Sequence, residues 1–147
     1  MQRSSPAVRI VEVGPRDGLQ NTRKRVPTAT KLELIDRLEQ AGLQNIELTS
    51  VVSPRAIPQL ADCRQVLQGR AVEQLLSKNA PLHLPVLVPN AKGLDIAIEH
   101  GVKEVAVFVS ATEGFSRANI NCSVEQGLYR AQRVAAKATR TGIAVRG

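Results

Sequence analysis

Val8-Arg9-Ile10-Val11-Glu12-Val13-Gly14-Pro15-Arg16-Asp17-Gly18 sets a pattern that the rest of the chain repeats. Its first six residues are mostly apolar and rich in β-branched side chains, the signature of a short buried strand. Gly14-Pro15 stops the strand, and an arginine and an aspartate follow side by side before the next glycine. A helix is then expected over Thr28–Ala41. Thr30 and Glu33 have capping-box spacing, Leu34, Ile35, Leu38 and Ala41 share one face, and Gly42 stands where a C-terminal glycine cap belongs.

The alternation continues to the end. Asn45–Thr49 reads as a second strand, and Ser53-Pro54 and Pro58 mark the loop after it. Residues 61–77 read as a helix interrupted at Gly69. Leu82–Val88 reads as a third strand despite Pro85, which removes a ladder donor. Asn90 can cap a third helix that reaches about His100, with Gly101 behind it. Lys103–Val109 reads as a fourth strand. Ser123 and Gln126 form a second capping-box pair, opening a helix with Leu128, Ala131, Ala135 and Ala138 on one stripe and Gly142 at its end. Ile143–Val145 opens a fifth strand. Repeated β/α units give parallel sheets. Two architectures fit: an open doubly wound sheet, and the first half of a (β/α)8 TIM barrel with about four β/α units plus the start of a fifth strand.

Composition narrows the function classes. The chain has 147 residues, enough for one domain, and 43% are apolar, enough for a core. No apolar run approaches the length of a membrane helix. Only Phe108, Phe115 and Tyr129 are aromatic, so the core is aliphatic and a base-stacking surface for single-stranded nucleic acid is disfavoured. The net charge is +7. Arg3, Arg9, Arg16, Arg23, Lys24 and Arg25 concentrate it early, either as solvated surface or as a patch for an anionic small molecule or nucleic acid. Cys63 and Cys122 have neither disulfide-framework nor metal-site spacing. The basic, acid-free start resembles the opening of a transit peptide but is short, and residues 1–7 are expected to be disordered.

In either architecture, chemistry gathers where strands end. After the first strand, Arg16 and Asp17 read either as a reactive corner or as a turn closed by a local ion pair. A carboxylate suits a hard divalent cation, and a guanidinium can hold a developing oxyanion. Glu47 interrupts the apolar second strand, so it faces a polar mouth or has a buried partner. Asn119 and Asn121 precede a helix start and read either as anion contacts or as caps. His83, His100 and Asn90 read as structural.

Several segments resemble the hydroxymethylglutaryl-CoA lyases. They are Val11 to Asn21, Ile46-Glu47-Leu48-Thr49-Ser50 with Val52-Ser53-Pro54, Pro58 to Asp62, Pro85 to Asn90, and Asn119-Ile120-Asn121-Cys122-Ser123, in the family's order. The resemblance implies the half-barrel of the two architectures. It implies Asp17 as a ligand to Mg2+ or Mn2+, and Arg16 as the catalytic cation that stabilises the enolate of acetyl-CoA. Gln20, Glu47, Ser50 and Asn119 fall at substrate-side positions. The implied reaction is cleavage of 3-hydroxy-3-methylglutaryl-CoA to acetyl-CoA and acetoacetate, as in leucine catabolism and ketone-body formation, in mitochondria or cytoplasm. The implied partner is an acyl-CoA, with no nucleic acid and no membrane. The family's His-x-His pair, metal-binding asparagine and glycine-loop cysteine have no counterparts here. The expectation is therefore a truncated lyase domain over residues 1–147, incompetent by itself. The alternative is a non-enzymatic half-barrel that associates with itself or with a full-length subunit. The Arg23-Lys24-Arg25 run alone supports a third reading, a basic module for nucleic acid.

Overall fold

The computed structural model describes residues 8–147. The expectations for residues 1–7, Arg3 included, lie outside the described residues. Five extended segments run through the described residues, each paired in parallel with the next. Glu12 bridges Ile46, Asn45 bridges His83, and Ser50 bridges Leu87. The ladder then becomes regular: β1 (Val86–Leu87) pairs with β2 (Glu104–Ala106), and β2 with β3 (Ala144–Arg146). The order across the sheet is thus the order along the chain. A doubly wound sheet reverses at its switch point, and this one does not.

Six helices fill the connections: α1 (Thr28–Gln40), α2 (Cys63–Leu67), α3 (Arg70–Ser77), α4 (Ala91–Glu99), α5 (Glu113–Ile120) and α6 (Val124–Arg140). They bury one aliphatic core between themselves and the sheet, with Ile35, Ile46, Val86, Leu94, Val105 and Val134 fully enclosed. Consecutive burial from Ile46 to Val51 shows that the second segment is covered on both faces. That segment has one residue more than its partner between the bridges Asn45↔His83 and Ser50↔Leu87. The extra residue is a bulge, a device that re-aims side chains.

The same turn ends α1, α4 and α6. Gly42, Gly101 and Gly142 adopt φ of 92°, 71° and 73°, and the next residue donates back to the last turn: Leu43 to Leu38 O (3.2 Å), Val102 to Ala97 O (3.0 Å) and Ile143 to Ala138 O (2.9 Å). These are Schellman turns, and the apolar residue after each glycine packs into the core. Each turn aims the chain into its next extended segment. At Gly69, between α2 and α3, a Cβ would run into the Leu32 side chain. Glycine there lets α1 close on the pair.

Several expectations need correction. The opening segment is not a buried strand: Val8 is 90% and Ile10 81% exposed with nothing packed over them, and among the described residues the segment bridges at Glu12 alone. Thr30 and Glu33 form no capping box. Pro27 holds the N-cap position of α1 without a side-chain hydrogen bond, and Ala41 is exposed. Thr28, the first residue of α1, donates its hydroxyl to Asp62 Oδ2 at 2.6 Å. The fourth strand is only Glu104–Ala106, and Phe108 and Val109 lie partly exposed beyond it. The buried stripe of α6 is Gly127, Val134 and Ala138, with Leu128 half exposed. Helix α5 went unforeseen, since its apolar residues are few and Phe115 faces outward. The glycine break, the Asn90 cap (Gly93 N to Asn90 Oδ1, 3.0 Å) and the Ser123–Gln126 capping box are present as expected.

A buried ion pair ties α1 to the approach of α2. Lys31 Nζ lies 2.6 Å from Asp62 Oδ1 and donates to Gln59 O at 2.6 Å, with both charged side chains almost wholly enclosed. Burial by itself raises the Asp62 pKa. The hydrogen bonds from Lys31 and Thr28, together with the Lys31 charge, outweigh it and hold the carboxyl below its ordinary value. A depressed folded-state pKa contributes stability above the unfolded value, about 3.9, that is lost as pH falls through the folded value. Asp62→Ala leaves the Lys31 charge unpaired and is expected to cost about 3–5 kcal/mol. Asp62→Asn is expected to flatten the fall in stability below about pH 4. Urea melts of both variants across pH 2.5–7, roughly the span of carboxyl titration, check this.

Candidate functional site

The residues after the first extended segment wind into one wide turn, Gly14–Gly18, in which the amides of Arg16, Asp17 and Gly18 all donate to Val13 O at 3.1, 2.7 and 3.3 Å. Such single π-type turns are frequent at functional positions. Glu12 steadies the entry, its Oε1 accepting from Gly14 N at 2.6 Å. A Cβ on Gly14 would sit 2.7 Å from that oxygen, so only glycine allows the approach. The turn sends Arg16 toward the second segment, where its Nε meets Glu47 Oε1 at 2.5 Å. Its Nη1 meets Asp17 Oδ1 at 2.8 Å. Arg146, the last residue of β3, donates through Nη2 to the other oxygen, Glu47 Oε2.

These four charged groups differ in exposure, and the difference sorts their roles. Glu47 is fully buried, Arg16 is 18% exposed and Asp17 is 51% exposed. A dry carboxylate needs paired cations, and Glu47 has one guanidinium on each oxygen. Arg16 commits Nε and Nη1, which leaves Nη2 as its nitrogen without a side-chain acceptor among the described residues. Asp17 commits only Oδ1. The corner therefore presents a fixed guanidinium edge beside a half-open carboxylate, the pairing that anionic oxygens and hard cations require.

Of the sequence candidates, the structure brings together Arg16, Asp17 and Glu47. Gln20 is half-buried just after the wide turn. Ser50 is buried and donates to Leu87 O at 3.2 Å across the bulge. Asn119 is exposed in the last turn of α5, not ahead of a helix start, and Asn121 caps that helix in the left-handed region (φ 49°). His83 pairs with Glu104 at 3.0 Å. Cys63 and Cys122 are free and buried, and burial pushes the Cys63 thiol up. Arg23, Lys24 and Arg25 are exposed ahead of α1. Among the described residues no three His, Cys, Asp or Glu side chains gather as a metal cage, and no helix is long and apolar enough to cross a membrane.

Two residues of the corner were not foreseen. Glu12 carries the signal that marked Glu47, a carboxylate within an apolar run. Arg146 follows the fifth predicted strand, where the strand-end rule also applied.

The HMGL-like family model matches residues 7–147. The chain belongs to this family. Among HMGL-like relatives, it is 49% identical over 140 residues to the bovine (Bos taurus) hydroxymethylglutaryl-CoA lyase, named mitochondrial, covering 95% of this chain and 41% of that one. It is 50% identical over 140 residues to the zebrafish (Danio rerio) 3-hydroxy-3-methylglutaryl-CoA lyase, named cytoplasmic, covering 95% and 40%. The crystal structure of the Pseudomonas aeruginosa hydroxymethylglutaryl-CoA lyase superposes with a TM-score of 0.84 at 45% identity, covering 95% of this chain and 45% of that one. The Acinetobacter baumannii HMG-CoA lyase, solved in complex with coenzyme A and 3-methylmalate, superposes at 0.80 with 31% identity, covering 91% and 42%. The chain thus spans under half the length of these HMGL-like relatives.

Burial predicts unequal costs for the two acids. Glu47→Ala leaves two guanidiniums around an empty buried position and is expected to lose about 3–5 kcal/mol. Asp17→Ala removes a half-exposed partner and is expected to change stability by about 0–1 kcal/mol. Denaturant midpoints of the two variants compare them.

Proposed function

We propose that this chain carries one wall of a hydroxymethylglutaryl-CoA lyase site, for cleavage of 3-hydroxy-3-methylglutaryl-CoA to acetyl-CoA and acetoacetate. The observation that supports it best is the Arg16 guanidinium, held by buried Glu47 with Nη2 uncommitted beside half-open Asp17. Breaking the carbon–carbon bond next to a thioester puts negative charge on the thioester oxygen. A guanidinium already fixed in place stabilises that charge without reorganising. Glu47 orients Arg16 and spends no exposed surface doing so.

On this reading the five extended segments are consecutive staves of a (β/α)8 barrel. Their unreversed parallel order and the superposition on lyase structures support it. The corner then lies at the carboxyl ends of the staves, where barrel enzymes place their chemistry. Asp17 fits one vertex of a divalent-cation site, with one oxygen uncommitted and half its surface open. It would hold Mg2+ or Mn2+ there, and the bound cation would polarise the substrate's hydroxyl and carboxylate oxygens. Gln20 and Ser50 would border the substrate, and Asn119 the acyl-CoA. The exposed Arg23, Lys24 and Arg25 would attract the CoA phosphates. The A. baumannii relative, solved with coenzyme A, supports an acyl-CoA as the partner. Relatives named for both compartments support a mitochondrial or cytoplasmic setting.

A second reading, a non-enzymatic half-barrel that pairs with itself or with a full-length subunit, is favoured by the bare Val8 and Ile10 edge. Light scattering that stays at the mass of one chain over a wide concentration range would contradict self-association.

The decisive experiment replaces the matching 140 residues of the bovine relative with this chain. The chimaera is expected to release acetoacetate from 3-hydroxy-3-methylglutaryl-CoA with Mg2+ or Mn2+, while the 147-residue chain alone releases none. Arg16→Ala in the chimaera is expected to lower kcat by about 10²–10³. A folded, active chimaera indifferent to Arg16→Ala and Asp17→Ala would overturn the reading.

A further inference from the structure

We infer that Arg146 is a positioning residue for Arg16, acting through Glu47; the inference rests on the lyase reading for its purpose but on geometry for its substance. The three side chains come from three β/α units, Arg16 and Arg146 lying 31 and 99 residues from Glu47. Glu47 is wholly enclosed, each of its oxygens taking a different guanidinium. The final torsion of a glutamate is soft and nearly two-fold. With Arg16 alone, the carboxylate could turn about that bond and carry the Arg16 contact with it. With Oε2 held by Arg146, the carboxylate plane is set, and with it the direction in which Oε1 receives Arg16 Nε.

Arg146 is suited to the task and to little else in the fold. Its Nε is buried and finds no acceptor among the described residues. Glu47 is therefore the side-chain partner that determines where this guanidinium lies. Its backbone carbonyl accepts from Val107 N at 2.9 Å, so the register of β3 on β2 fixes the point from which the side chain reaches. A shift in that register would move the Arg16 edge by way of two hydrogen bonds.

The test uses the full chain and needs no turnover. Nitrogen-15 NMR resolves the Nε–Hε signal of Arg16, assigned by its loss in Arg16→Lys. Arg146→Met is expected to speed solvent exchange of the Arg16 Hε by about tenfold, the change that follows from weakening one charge-assisted hydrogen bond. Backbone amide signals away from the corner are expected to stay in place. Arg146→Lys, which restores a cation to Oε2, is expected to bring exchange back to within about threefold of the unaltered chain. An Arg16 signal unmoved in a folded Arg146→Met chain overturns the inference, as does a change that lysine fails to reverse. Should Arg146→Met not fold, Glu47→Gln answers instead: the Arg16 and Arg146 signals move together if the relay is real, and one moving alone overturns it. Failure of this coupling is separate from failure of the lyase reading, which the activity of the chimaera reports.

Discussion

A carboxylate placed inside an aliphatic sheet has to bring its own counter-charges, and Glu47 brings two from opposite directions in the chain. That requirement ties the opening turn, the second extended segment and β3 into one unit. It also fixes register. Sliding the second segment by one residue would exchange the faces of Glu47 and its apolar neighbours, stranding a charge in the core and a leucine at the corner. Sheet order and site geometry are thus set by one interaction, and the bulge between the bridges to His83 and Leu87 lies in the same stretch.

The two ends of the parallel segments do different work. At the starts of segments, the glycine turns behind α1, α4 and α6 satisfy helix carbonyls and launch the chain with an apolar residue already in the core. The Lys31–Asp62 pair adds a buried electrostatic tie between helices on the outer layer. At the far ends, polar groups gather whose contribution to stability is small or conditional. Asp17 is the clearest example. Half exposed and bonded through one oxygen, it does little for the fold and is available for chemistry. A group that folding does not need, set beside one that folding positions closely, is the arrangement on which the proposed lyase reading relies.

Much of this was legible in residue order. The capping pair Ser123–Gln126, the Asn90 cap and the three closing glycines are local devices whose partners lie within a few residues, so sequence exposes them. The break at Gly69 is equally local in appearance, although its cause, the Leu32 side chain, is not. What sequence hid depended on contacts across the chain. Thr30 and Glu33 close no capping box because the helix already begins at Thr28, whose hydroxyl donates to Asp62, 34 residues on. Val8 and Ile10 are exposed because nothing among the described residues covers them, a fact about packing that periodicity does not carry. In the site, Arg16, Asp17 and Glu47 announced themselves as charged residues at strand ends or inside an apolar run. Arg146 gives the same signal just after the fifth expected strand, but its partner Glu47 lies 99 residues away, a pairing that residue order does not display.

The span of the Glu47–Arg146 contact has a consequence for how the molecule comes into being. During synthesis Glu47 leaves the ribosome 99 residues before its second guanidinium, an interval of about 5–20 s at ordinary elongation rates. Throughout it the nascent sheet has an anion with only Arg16 to answer it. The charge balance of the second segment is thus completed only when β3, 99 residues on, has been made.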